Sequence, residues 1–186
     1  MQVEAFGIYH VYNQGNRKQN LFFEPYHYQK FIELTRYYVY PKCDILAYCL
    51  MPNHFHFMIS ATELSAKKRM IGKVESNELS NAFRVLLSRY CQEINRSRNE
   101  TGSLFRQKTK MKLLENTSDG YAKSCFDYIH FNPEKAGLVD ESFKWKHSSL
   151  AGYLGMKRDI LVNKKIAAYL LDLPNATEMR KQFEIV

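Results

Sequence analysis

Two histidines, His54 and His56, lie one residue apart in the short apolar run MPNHFHFMIS, residues 51–60. The run is rich in β-forming residues and opens on a Pro-Asn turn, which predicts a β-strand. Side chains alternate along a strand, so the two imidazoles share one face while Phe55 and Phe57 occupy the other. Two neutral imidazoles on one rigid element can bind a single divalent metal ion. The pair supplies half of a metal site, and the other half must come from elsewhere in the chain.

A second group of polar residues lies about 70 residues downstream in the segment YIHFNP. Tyr128 and Asn132 are four apart, so they share one face of a predicted helix. The amide oxygen of Asn132 could be a third metal ligand, and the Tyr128 hydroxyl could act as a nucleophile beside the metal. His130 points about 160° away from Tyr128 on a helix and is not assigned to the metal. His10, in the first predicted strand, is interpreted as a packed histidine near the site.

The elements that position these residues follow the order β-α-β-β-α-β. This order predicts an α+β, ferredoxin-like fold, with a four-stranded antiparallel sheet and both helices on one face. The first and third strands are then central neighbours, and Phe55 and Phe57 pack under the helices. The predicted segments are a strand at 7–12, a helix from Pro25 to Pro41, a strand at 44–50, the histidine strand, a loop or frayed helix start at 61–78, a helix ending at 99–102 and a strand at 103–114.

Two further helices are predicted beyond this unit. An extra catalytic helix covers 118–131 and ends near Asn132, because Pro133 disfavours helix at the residue before it. A helix at about 164–171 lies in the C-terminal helical tail. We expect one domain at residues 1–155 and a tail at 156–186 that packs on it.

The chain carries a net charge of +8, with a sequence pI of about 9.2. Between residues 61 and 113, twelve Lys or Arg outnumber five Glu, so most of the excess lies in less than a third of the chain. In the predicted fourth strand, basic side chains alternate and share one face, which indicates an anionic partner such as nucleic acid. These side chains are Arg106, Lys108, Lys110 and Lys112.

The cysteines and the apolar segments indicate a soluble, cytoplasmic protein. The four cysteines contain no CxxC pair, so free thiols in a reducing compartment are expected. The N-terminus lacks the pattern of a signal peptide. No apolar stretch approaches the ~18 residues of a membrane span, so no membrane partner is expected.

Together, MPNHFHFMIS and YIHFNPEKAGLV resemble the HUH single-strand nucleases. The pair is most similar to single-tyrosine insertion-sequence transposases and their REP-associated tyrosine transposase relatives. YHVYNQGNRKQNLFF resembles the first strand and Gly-Asn-Arg loop of that family, and WKHSSLAGYLG resembles the segment after its catalytic helix. The resemblance covers about residues 6–155. The segment FRQKTK departs from the family's usual QGRF-like sequence.

The resemblance implies Mg²⁺ or Mn²⁺ as cofactor and single-stranded, often hairpin-bearing DNA as substrate. It implies that His54 and His56 are metal ligands, that Asn132 takes the place of the third ligand, and that Tyr128 is the nucleophile. Tyr128 would form a 5′-phosphotyrosine link and release a 3′-hydroxyl. Candidate DNA contacts are Asn13, Arg17, Arg106, Lys108 and Lys110.

Two other functions remain open from the sequence. One is a non-catalytic module that binds single-stranded DNA or RNA on the same fold, and the other is a regulatory protein that has lost mobility. Members of the resembled family also differ in assembly. Some are homodimers that supply the tyrosine helix in trans, while others act as monomers, so a homodimer is a possible assembly here.

Overall fold

A computed structural model describes residues 3–114 and 120–182. Its centre is a four-stranded antiparallel sheet in the order β2-β3-β1-β6, beside a separate β4-β5 hairpin. The strands are β1 (Ile8–Gln14), β2 (Cys43–Met51), β3 (His54–Ala61), β4 (Lys68–Ile71), β5 (Val74–Asn77) and β6 (Lys110–Leu113). The helices are α1 (Pro25–Tyr38), α2 (Glu63–Ala66), α3 (Glu78–Arg98), α4 (Tyr121–Lys135), α5 (Leu150–Tyr153), α6 (Lys164–Leu171) and α7 (Ala176–Gln182). The predicted α+β, ferredoxin-like arrangement is confirmed, with β1 and β3 as central neighbours.

The sheet separates two apolar cores. Phe55 and Phe57 are fully buried on one face, where they pack with Phe31 of α1 and Phe83 of α3. Each buried ring of this size contributes roughly 1.5 to 3 kcal/mol to the free energy of unfolding. The other face carries Met58 and the apolar side of α4, and it is also the face of the histidines. The alternation along β3 therefore places the metal-binding candidates opposite the main core.

The first long helices begin as the sequence predicts. Pro25 occupies the first position of α1, and the backbone N–H groups of Phe23 and Glu24 donate to His27 Nδ1. Asn77 caps α3, where its Oδ1 accepts from the Ser80 N–H at 2.8 Å. The helix ends at Asn99, which adopts a left-handed backbone conformation with φ 53°.

The predicted loop at 61–78 and the long fourth strand at 103–114 are both wrong. The first segment forms α2 and the β4-β5 hairpin, and the second forms a strand only from Lys110. Asn13 explains the shorter strand, because its Nδ2 donates to Arg106 O and to Thr109 Oγ1, both at 3.1 Å. The segment leaves the regular ladder between Lys110, which pairs with Tyr12, and Phe105, which bridges Gly15, and these bonds tie the extra residues to β1. Arg106 and Lys108 therefore lie before the strand, and they do not share a strand face with Lys110.

The prediction that α4 ends near Asn132 is also wrong, since the helix runs through Pro133 to Lys135. Pro133 is buried, and hydrogen bonds close the helix beyond it, from Ala136 N to Asn132 O and from Leu138 N to Pro133 O. Burial of this turn outweighs the backbone preference of the residue before proline. The predicted start of the helix at 118–119 lies outside the described residues.

A segment after α4 covers the outer edge of β2. The Leu50 N–H donates to His147 O at 2.9 Å, and the Ser149 N–H donates to Tyr48 O at 3.0 Å. Trp145 Nε1 adds a bond to Leu50 O at 3.0 Å. An exposed strand edge invites pairing with other chains, and here residues 145–149 occupy it.

The tail forms α6 as predicted and α7 after it. Ala167, Leu171 and Met179 are buried with α4 in the second core. The domain boundary at residues 155 and 156 stays a prediction. The four cysteines are free thiols, of which Cys91 is only partly buried. Among the described residues, no helix is long and apolar enough to cross a membrane.

Candidate metal and tyrosine site

Three histidines from two strands form a cluster on the α4 face of the sheet. The ring centroid of His56 lies 5.0 Å from that of His54 and 5.0 Å from that of His10. The β1-β3 register sets Tyr12 opposite His56, which makes His10 and His56 diagonal cross-strand neighbours. His10 Nε2 and His56 Nδ1 are 2.8 Å apart, at hydrogen-bond distance.

Hydrogen bonds at the Nδ1 atoms decide which nitrogens remain for a ligand. His54 Nδ1 lies 2.6 Å from Asn53 Oδ1. An amide oxygen only accepts, so His54 Nδ1 carries the hydrogen and its lone pair is on Nε2. His56 Nε2 is buried and has no hydrogen-bond partner among the described residues. A buried polar atom without a partner is costly, and a bound metal ion would satisfy it.

Burial keeps the three imidazoles neutral at pH 7. It lowers the pKa of His10 to about 4, with Lys112 adding to the shift, and the pKa of His56 lies well below its usual value. Burial also lowers the pKa of His54, although a side-chain hydrogen bond with Asn132 opposes that shift. Neutral imidazoles offer the lone pairs that metal binding requires.

Helix α4 of the same chain brings Tyr128 and Asn132 to this cluster. The Tyr128 ring centroid lies 5.6 Å from that of His56 and 6.1 Å from that of His10, with the rings near perpendicular. Tyr128 is 44% exposed, so its hydroxyl is accessible to a substrate. Asn132 lies one turn further along, with its side chain at His54. The four residues that the sequence singles out are therefore neighbours within one chain.

His130 has a different position and role. It is buried on the opposite side of α4, where its Nε2 lies 2.7 Å from Ser149 Oγ. The same Oγ accepts from the Tyr48 N–H at 3.0 Å and donates to Tyr48 O at 3.3 Å. If His130 carries its hydrogen on Nε2, then Ser149 Oγ can form a hydrogen bond with each of three groups: the His130 ring, the Tyr48 N–H and the Tyr48 carbonyl. Ser149 thus joins the tyrosine helix to strand β2.

The candidate DNA contacts differ in their surroundings. Asn13 is buried, and its amide holds the 106–109 segment. Arg17 is exposed, has a left-handed backbone with φ 52°, and lies in the loop that binds Asn53 O through the Gly15 N–H at 2.8 Å. A side chain at Gly15 would place its Cβ 2.1 Å from Gln19 O, so the loop requires glycine. Arg106, Lys108 and Lys110 are exposed.

The sequence predicted His10 to be a packed histidine, whereas the structure places it at hydrogen-bond distance from His56. The sequence also predicted Asn132 to be a metal ligand, a role that carboxylates usually have. Among the described residues, no group of three or more His, Cys, Asp and Glu is arranged to hold a metal ion. A metal at this cluster would therefore have two imidazoles and one amide oxygen as its protein ligands.

Comparisons with known proteins bear on the fold. No family model matches the chain, and no curated protein matches it. A solved REP-associated tyrosine transposase, bound to a REP hairpin, has a similar fold. The TM-score is 0.61 at 18% sequence identity, and the match covers 83% of each chain. At this identity the likeness shows the fold, and any activity must be argued from the site.

Proposed function

We propose that this protein is a metal-dependent, single-tyrosine nuclease and strand transferase that acts on single-stranded, hairpin-bearing DNA. The observation that carries the proposal is His56 Nε2, which is buried beside the accessible ring of Tyr128 and has no hydrogen-bond partner in the described part of the chain. A metal ligand and a nucleophile on two packed elements are what phosphoryl transfer to tyrosine requires. The fold likeness to a transposase bound to a DNA hairpin supports the choice of substrate.

Three protein atoms would hold Mg²⁺ or Mn²⁺: His54 Nε2, His56 Nε2 and the side-chain oxygen of Asn132. An ion bound there would supply Lewis-acid chemistry by polarising a phosphate oxygen. Asn53 and His10 bind the opposite nitrogens of the two imidazoles, which orients both rings.

Tyr128 would perform the covalent step. Its hydroxyl oxygen attacks the scissile phosphorus and loses its proton to solvent, the bond from phosphorus to the 3′-oxygen breaks, and the leaving oxygen takes a proton from solvent. The products are a 5′-phosphotyrosine and a free 3′-hydroxyl. The phosphate ester is conserved, so attack by another 3′-hydroxyl rejoins DNA without an external energy source. Since Tyr128 meets the histidines of its own chain, we propose that it acts in cis.

The test is covalent capture of single-stranded DNA taken from both flanks of the gene, with Mn²⁺ present. The wild-type protein should give a DNA adduct that survives denaturing electrophoresis. Tyr128→Phe should abolish the adduct and leave DNA binding within about twofold, because only the nucleophile is lost. Tyr169→Phe is the control, since Tyr169 is 87% exposed on α6. Adducts that persist in Tyr128→Phe would refute the assignment.

A non-catalytic single-strand-binding protein on the same fold is the second candidate. It is favoured because no group of three or more His, Cys, Asp and Glu among the described residues is arranged to hold a metal ion. This candidate predicts DNA binding that EDTA does not change and no cleavage of either flank.

A further inference from the structure

A groove of about 890 Å³ lies on the face of the sheet opposite the histidine cluster. Its walls are α3 and the segment at residues 102–111, and we call it the α3 groove. The floor is apolar and belongs to the main core, with Phe83, Leu87 and Met111. This volume lies in the range of pockets that hold one small ligand.

The rim of the α3 groove is cationic. Arg84, Arg106 and Lys108 line it, and none of its described lining residues is acidic. Within the described part of the chain, no carboxylate lies within 4.0 Å of these three cations. Arg84 makes side-chain hydrogen bonds only to Asn81 Oδ1 among those residues, at 2.9 and 3.1 Å. The groove therefore favours an anionic ligand with flat apolar parts.

Further cations connect this groove with the histidine cluster. Lys110 and Lys112 lie on β6, the last strand of the sheet, where they pair with Tyr12 and His10 of β1. They share the histidine face, because Met111 between them points to the groove. Lys108 and Arg106 precede β6 and line the groove, so a row of positive charges runs around this edge of the sheet. A phosphate backbone could follow these charges from one face to the other.

We propose that the α3 groove binds a short run of unpaired nucleotides of the DNA substrate, away from the scissile phosphate. Phosphates lie against Arg84, Arg106 and Lys108, and the bases rest on the apolar floor. Single-strand sites combine a cationic groove with apolar surfaces for bases in this way. The inference rests on the proposed function for the identity of the ligand, and it adds a binding site that does not take part in the chemistry.

Binding in EDTA separates this site from catalysis. The probes are a fluorescein-labelled pool of random 12-nucleotide single strands and a blunt DNA hairpin, both measured by anisotropy. Arg84→Gln removes one rim charge, and Ser88→Tyr fills the groove from an exposed position on α3 while it keeps every charge. Arg89→Gln removes the same charge from the same helix but lies outside the groove, and it serves as the control.

Arg84→Gln should weaken binding of the single strands about 3- to 10-fold and lower the salt slope by about 0.7, as expected for one lost phosphate contact. Ser88→Tyr should weaken binding by a similar factor at an unchanged slope. Arg89→Gln should match the wild type, and all three variants should bind the blunt hairpin normally.

Three outcomes would overturn the proposal: no binding of the single-strand pool by the wild type, equal losses in Arg89→Gln, or equal losses on the blunt hairpin. The Tyr128 adduct assay decides the proposed function independently. If no adduct forms but the groove variants lose single-strand binding, then catalysis is refuted and the groove stands. If adducts form and the variants bind as the wild type does, then only the groove is refuted.

Discussion

At the scale of single residues, His10 is the side chain that gives the histidine pair a defined orientation. Its Nε2 faces His56 Nδ1 at 2.8 Å, so His56 can carry its hydrogen on Nδ1 and offer Nε2 to a metal. The sequence placed His10 on the first strand but could not show this contact. Cross-strand neighbours depend on register, and register is set by the packed sheet rather than by either strand alone.

Two substitutions at His10 distinguish the effect of its hydrogen bond from the effect of its size. His10→Leu leaves His56 Nδ1 buried without an acceptor, so Mn²⁺ affinity should fall about 10- to 100-fold. His10→Gln offers an amide oxygen as acceptor and should restore much of that affinity. Calorimetric titration of the DNA-free protein with Mn²⁺ measures both. Equal Mn²⁺ affinity in His10→Leu and the wild type would show that His10 has no orienting role.

At the scale of elements, helix α4 depends on a residue that is remote from the chemistry. Ser149 Oγ contacts His130 on α4 and both backbone polar groups of Tyr48 on β2. The opposite side of the same helix carries Tyr128 and Asn132. Ser149 therefore positions the nucleophile relative to the sheet, although it does not touch the site.

Ser149→Ala should lower the free energy of unfolding by about 1 to 3 kcal/mol, because it leaves buried polar groups without partners. It should also slow adduct formation at saturating DNA and leave DNA affinity unchanged. Ser124→Ala is the matched control, since Ser124 lies exposed on α4 and its hydroxyl donates to Gly120 O. Urea unfolding and single-turnover adduct kinetics provide the two readouts. A loss of stability with an unchanged adduct rate would limit Ser149 to a structural role.

The order of elements could be predicted because periodicity reports which faces are buried. The alternation around Phe55 and Phe57 predicted the histidine strand correctly, and Pro25 predicted where the first helix begins. The fourth strand was predicted too long, since no local pattern shows that residues 106–109 leave the regular ladder and are held by the Asn13 side chain instead. The helix end at Pro133 failed for a similar reason, because tertiary burial outweighed a local backbone preference.

At the scale of the whole molecule, burial lowers the pKa of all six histidines. His147 is the clearest case outside the site. It stacks on Tyr28 with ring centroids 3.6 Å apart, and burial lowers its pKa to about 4, with Lys157 and Lys146 adding to the shift. The unfolded chain therefore binds protons below pH 6.5 that the folded chain does not bind.

This linkage predicts a loss of stability on mild acidification. The contribution of His147 is fully present above pH 6.5 and is lost progressively as the pH falls towards 4. His147→Phe keeps a ring on Tyr28 and cannot titrate, so it should reduce the stability lost between pH 7 and pH 5 by about 1 kcal/mol, a value lowered for solvent screening because the ring is only half-buried. Urea unfolding at both pH values measures the difference. An unchanged loss in the variant would contradict this contribution of His147.

The connection between Ser149 and α4 also has a consequence for synthesis of the chain. The sheet strands end at Leu113, whereas the tyrosine helix and the residue that fixes it follow later in the chain. Domains begin to fold as they emerge during translation, from the N-terminal end. We therefore expect a nascent chain to form the histidine face of its sheet well before Tyr128 is fixed beside it. If the proposed function is correct, a ribosome-bound intermediate that ends before Ser149 lacks the contact that fixes Tyr128 and forms no DNA adduct.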